Sequence, residues 1–130
     1  MYTISKEFHF SASHILRDMP EGHPCGRLHG HNYIVVVVLA DRALDSKGFV
    51  QDYGDLKPFK EFIDNALDHK HLNDLPPFCN EKDRSECWGW NPTAENIARF
   101  IYNTFKPQFP MLKRIGISET PKTMAWYEED

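Results

Sequence analysis

Over residues 2–13 the chain alternates. Tyr2, Ile4, Phe8, Phe10 and Ala12 are apolar, interrupted only by Lys6, while Thr3, Ser5, Glu7, His9, Ser11 and Ser13 are polar. A period of two places each set on its own side of an extended chain, so the spacing predicts a strand with one buried face. Residues 31–39, dominated by Ile34 and four consecutive valines, predict a strand buried on both faces or in a subunit contact. Between them, residues 17–28 hold Pro20, Gly22, Pro24 and Gly26 and read as a loop. Residues 41–52 read as a turn region around Gly48. Leu56, Phe59, Phe62, Ile63, Ala66 and Leu67 recur at helical spacing. Asp55 is the expected N-cap of that helix, Pro58 falls in its first turn, and its end is expected near Asp68 and His69. Residues 72–90 are irregular, with Pro76, Pro77 and a charged patch over 81–86; Trp88 and Trp90 read as packing residues for this loop. A second helix is expected from Asn91, with Pro92 at its first position and Ala94, Ile97, Ala98, Ile101 and Phe105 on its apolar face; Pro107 ends it. Residues 113–119 alternate again, and 123–128 predict a last strand after the Thr120-Pro121-Lys122 turn. The order strand, strand, helix, helix, strand, strand predicts an α+β fold, an antiparallel sheet covered on one face.

At 130 residues the chain is expected to form one domain, 1–130. Lys plus Arg is 15 and Asp plus Glu is 19, a net charge of −4. That balance argues against nucleic acid or a membrane surface as partner, while leaving room for a local basic pocket and a small anionic substrate. Apolar content of 41% with 13% aromatic residues excludes a mainly disordered chain. No targeting pattern opens the sequence. The longest apolar run, residues 33–40, is far short of the roughly 20 residues a membrane span needs. A soluble, cytoplasmic protein is expected. Cys25, Cys79 and Cys87 are odd in number, so at least one thiol stays free, and the count favours a reducing compartment.

The histidines carry the chemistry. His9, His14, His23, His29 and His31, five of the seven, fall within 23 residues. His29 and His31 flank Gly30, and in an extended chain residues two apart share a face. If the first two strands pair antiparallel, His14 joins them. Three neutral imidazoles suit zinc, and with no thiolate added the fourth position stays open, the mark of a catalytic site. His9, on the polar side, and His23, in the loop, read as ordinary surface residues. Cys25, four residues before His29, reads as a fourth ligand, an inert thiol or a base beside the metal, with ligand and base weighted equally by the spacing. Asp68 beside His69 is either a proton relay or an ordinary helix end rich in cations. Glu119, sharing the face of Ile115 and Ile117, needs a partner: paired N–H donors of a heterocycle, or a Lys or Arg. Residues 91–96 open a helix whose free N–H groups either hold a polar ligand or are capped in the usual way.

Five stretches together resemble one family: Phe10-Ser11-Ala12-Ser13-His14, Cys25 through Tyr33, Leu67-Asp68-His69 with Leu72-Asn73, Asn91 to Asn96, and Glu119-Thr120. This is the 6-pyruvoyl- and 6-carboxy-tetrahydropterin synthase superfamily. The resemblance implies the tunnelling fold: a four-stranded antiparallel sheet with two helices on one face, assembled into trimers or dimers of trimers with sites between subunits. It implies that His14, His29 and His31 bind zinc and that Cys25 accepts a proton. It further implies that His69, oriented by Asp68, relays protons, and that Glu119 anchors a pterin in a pocket lined also by Thr93 and Glu95. The implied substrate is 7,8-dihydroneopterin triphosphate; Lys6, Arg17, Arg27, Lys70, Arg84 and Lys122 are candidate cations for its phosphates. Three residues between Cys25 and His29 resemble the carboxy-forming branch, which releases acetaldehyde and feeds queuosine synthesis. A longer gap would resemble the pyruvoyl-forming branch of biopterin synthesis. Residues 76–90 are not part of the pattern and look like a longer loop.

Overall fold

The computed structural model describes residues 1–81 and 87–130. Strand β1, Tyr2–His14, buries Phe8, Phe10, Ala12 and His14 and exposes Glu7 and His9, following the alternation in the sequence. It pairs antiparallel with β2, His29–Asp41, along its whole length. On β2, Tyr33, Val35 and Val37 are fully buried on the helix side. Ile34 and Val36 on the other side are half-buried. Strand β4, Leu112–Ser118, pairs antiparallel with β2, and β5, Ala125–Tyr127, with β4.

The first helical segment opens at Tyr53, ahead of the expected cap Asp55, and its α-helical part starts only at Lys57. Asp52 caps a 3₁₀ turn, Tyr53–Leu56, by accepting from Gly54 N–H, while Asp55 accepts from the Gln51 amide. Helix α1 is Lys57–Phe62, and the chain then widens into a π turn, Ile63–Leu67. The π turn ends where Asp68 N–H donates to Ile63 O at 2.9 Å. His69 then takes a positive φ of 59°, which swings the chain back toward β1. The result is a strand the periodicity does not show: β3, Lys70–His71, parallel to β1 with Ala12 opposite Lys70 and Ser13 opposite His71. The sheet therefore has five strands, in the order β3-β1-β2-β4-β5, and is mixed rather than purely antiparallel.

Helix α2 is Ala94–Phe105, not a helix from Asn91. Thr93 is extended, and its hydroxyl accepts from Asn96 N–H, so Thr93 is the cap and Pro92 lies outside. Ile97, Ala98 and Ile101 pack with Phe59, Ile63, Tyr33, Val35 and Ile115 in one apolar cluster on a single face of the sheet. Pro76-Pro77 is a cis bond, and Cys79 forms a disulfide with Cys87. Cys25 is the free thiol. The charged patch expected over 81–86, and with it Arg84, lies outside the described residues apart from Glu81. Trp88 is exposed rather than packed, with its ring 5.3 Å from that of Trp90; Arg99 stacks on Trp90 at 3.5 Å. Among the described residues no helix is long and apolar enough to cross a membrane.

Candidate metal centre and pterin site

The register of β1 against β2 sets His14 opposite His29 and Ala12 opposite His31. Gly30 lies between the two β2 histidines; a Cβ there would sit 3.2 Å from the Ala12 carbonyl oxygen, so the strands approach closely where the imidazoles meet. One ring nitrogen from each of His14, His29 and His31 lies within 4.8 Å of the others. His14 is fully buried; the other two are half-buried.

The hydrogen bonds fix which nitrogens face one another. His14 Nδ1 donates to Pro92 O at 2.8 Å, and His29 Nδ1 donates to Arg27 O at 2.6 Å. A carbonyl only accepts, so each Nδ1 carries the proton and each neutral ring presents a lone pair on Nε2. Those two Nε2 atoms are 2.9 Å apart. Facing lone pairs repel unless a cation or a proton lies with them. Burial, aided by His29 and His31, lowers the His14 pKa from 6.5 to about 4, so at neutral pH the proton is disfavoured. His31 Nε2 is buried with no hydrogen-bond partner among the described residues. An acceptor-rich, half-enclosed set of three imidazoles, each of two rings oriented by a backbone carbonyl, fits a metal ion.

Cys25 sits in a 3₁₀ turn, Pro24–Gly26, and stands outside this three-histidine group. Its N–H donates to His23 Nδ1 at 3.0 Å, and its carbonyl accepts from Leu16 N–H at 2.9 Å. Asp68 and His69 are in contact, with Nδ1 2.8 Å from the carboxylate. The Ser11 N–H and then the His69 ring hold the Asp68 carboxyl below its usual range. His69 lines an open cavity of about 470 Å³ together with His31, Ser11, Ser13, Asn32, Lys70 and His71. Glu119 lies one residue past β4, its carboxylate 3.7 Å from His31 Nε2. Glu119 and Glu95 line a second cavity of about 400 Å³ with Ile117, Thr123 and Trp126. Thr93 is absent from that lining, its hydroxyl being taken by the α2 cap.

Of the candidate cations, Lys70 reaches a cavity wall, the Arg17 guanidinium donates to Trp90 O, and Lys6 donates to Tyr53 O. Two groups near the three histidines escape a reading of the sequence. The Tyr33 hydroxyl lies 3.2 Å from His14 Nδ1, and burial followed by the Glu119 charge raises its pKa. Pro92 supplies the carbonyl that orients His14. Tyr33 carries a weak signal, as the next inward residue after His31 on β2; a backbone carbonyl carries none.

The geometry and the sequence agree on a class. The 6-pyruvoyl tetrahydropterin synthase family model matches residues 3–130, and the chain belongs to that enzyme family, with its tunnelling fold. Among relatives, a 6-carboxy-5,6,7,8-tetrahydropterin synthase of Haemophilus influenzae is 34% identical over 148 residues, covering 99% of this chain and 100% of its own. The human 6-pyruvoyl tetrahydrobiopterin synthase is 30% identical over 139 residues, covering 96% of this chain and 90% of its own. The structure of a Caenorhabditis elegans 6-pyruvoyl tetrahydropterin synthase superposes with a TM-score of 0.78 at 25% identity, over 99% of this chain and 96% of that one.

Proposed function

We propose that this chain is a zinc-dependent carbon–carbon lyase. It converts 7,8-dihydroneopterin triphosphate and one water to 6-carboxy-tetrahydropterin, with release of acetaldehyde and triphosphate, in queuosine and deazapurine synthesis. The observation that carries this reading is a three-imidazole cluster with Cys25 outside it, which leaves the thiol free to act on protons. The three-residue spacing from Cys25 to His29 and the 34% identical relative support the carboxy-forming branch. Likeness to proteins named for the pyruvoyl product supports the alternative, 6-pyruvoyl-tetrahydropterin synthesis by triphosphate elimination.

His14, His29 and His31 would hold the zinc, and the bound ion supplies Lewis acidity that makes side-chain hydroxyls of the substrate more acidic. Cys25, as thiolate, takes a proton from the substrate side chain. His69 moves protons to and from the site, its tautomer fixed by the Asp68 carboxylate. Glu119 accepts paired N–H donors of the pterin ring, and Glu95 lines the same cavity. Thr93 serves that pocket through the helix start it caps. The reading includes one pterin-synthase domain over 1–130, a cytoplasmic setting, and a trimer or dimer of trimers with sites between subunits.

The test is Cys25→Ala. It is expected to keep zinc and the fold while turnover falls about 100- to 10,000-fold, the usual contribution of a positioned acid–base group. Loss of zinc from the variant would instead make Cys25 a ligand.

A further inference from the structure

Beyond β1 the chain continues through Ile15, Leu16 and Arg17 with no strand beside it among the described residues, until Asp18 turns it with a φ of 61°. Backbone groups left half-buried without partners are costly, yet here they are satisfied. Ile15 N–H donates to Asn73 Oδ1 at 2.8 Å, and Asn73 Nδ2 donates back to Ile15 O at 2.8 Å. Two residues on, Arg17 N–H donates to Asn91 Oδ1 at 2.8 Å, and Asn91 Nδ2 donates to Arg17 O at 3.1 Å. Each carboxamide thus replaces one residue of a neighbouring strand, offering an acceptor and a donor side by side. Leu16 N–H points the other way and donates to Cys25 O.

Both asparagines are themselves held. Asn73 follows the fully buried Leu72 in a 3₁₀ turn, Leu72–Asp74. The Asn91 carbonyl accepts from Thr93 N–H at 2.8 Å and from Asn96 Nδ2 at 2.9 Å. The residue after Asn91 is Pro92, whose carbonyl orients His14. One short segment therefore touches a metal ligand at its start and the cysteine turn at its middle, with the two carboxamides pinning it from the other side.

We propose that Asn73 and Asn91 are positioning residues that set the distance between the metal centre and the Cys25 thiol. The inference rests on the metal and thiol roles proposed above. The chemistry demanded is that of a carboxamide: an aspartate of the same shape keeps the acceptor, loses the donor, and sets a carboxylate oxygen against a carbonyl oxygen. Altered outer partners of a metal ligand usually weaken metal binding by about 10- to 100-fold.

The experiment uses the full chain and zinc alone. Asn73→Asp and Asn91→Asp are compared with the unmodified protein by competition with a chromophoric chelator. The effect of zinc on the rate at which iodoacetamide alkylates Cys25 is measured on the same samples. Each variant is expected to lose about 10- to 100-fold in zinc affinity and to uncouple Cys25 alkylation from zinc, while melting as a folded protein. Affinities within twofold of the parent, with zinc still altering alkylation, would overturn the proposal. Amide hydrogen exchange on the unmodified protein covers the case in which a variant does not fold. Ile15, Leu16 and Arg17 are expected to exchange as slowly as β1, and rapid exchange would show that no clamp exists. If the unmodified protein binds no zinc, the metal reading fails on its own account, and exchange still decides whether the clamp is there.

Discussion

His14 is the residue on which the centre turns, because it is a fully buried imidazole whose one protonated nitrogen is committed to a backbone carbonyl. Its pKa is lowered to about 4 by burial, whereas the unfolded chain would titrate it near 6.5. Between these values the unfolded state binds more protons, so stability falls as pH falls through that window and is fully present above it. For the metal-free protein the loss from this residue is expected to be roughly 3 kcal/mol between pH 6.5 and 4. Denaturant unfolding of the apoprotein across that range checks it; a flat profile would mean that His14 is protonated in the fold. The identity of the three clustered histidines was legible in the sequence, because a spacing of two on a strand and a partner at a strand end are local signals. The carboxamide contacts of Asn73 and Asn91 were not, since they join residues 58 and 74 positions apart and leave no periodic mark.

At the scale of elements, the centre depends on how closely β1 and β2 lie at Gly30. Gly30→Ala places a methyl group 3.2 Å from the Ala12 carbonyl oxygen, an atom of a paired strand that cannot swing aside. The strands must part by a few tenths of an ångström, and His29 and His31 part from His14 with them. The expected result is weaker zinc binding, by about 10-fold or more, in a protein that still folds. Unchanged affinity would show that the pair tolerates a looser register. β1 and α2 were readable because their apolar periods run for many residues, and β2 because a continuous β-branched run marks a strand. β3 was not, because two residues carry no period, and its place follows from the π turn and the left-handed His69. α2 starts later than Asn91 because Pro92, though it resembles a first helical residue, precedes the cap: the Thr93 hydroxyl captures the Asn96 N–H.

At the scale of the whole molecule, the helices cover one face of the sheet and leave the other with Ile34 and Val36 half-buried and Trp126 exposed. The outer edge of β1 before Ala12 has no strand partner among the described residues. Unpaired edges favour association, and sedimentation is expected to show a trimer or a hexamer; a monomer at micromolar concentration would contradict the inter-subunit site. The disulfide between Cys79 and Cys87 was not legible, as the odd cysteine count required only that at least one thiol stay free and favoured a reducing compartment, an expectation that points away from a disulfide.

The central claim is the reaction, and product identification tests it most directly. Zinc-loaded protein incubated with 7,8-dihydroneopterin triphosphate is expected to yield 6-carboxy-tetrahydropterin and acetaldehyde by mass spectrometry, with Cys25→Ala nearly silent. Accumulation of 6-pyruvoyl-tetrahydropterin without acetaldehyde would contradict it and move the chain to the sister branch of the family.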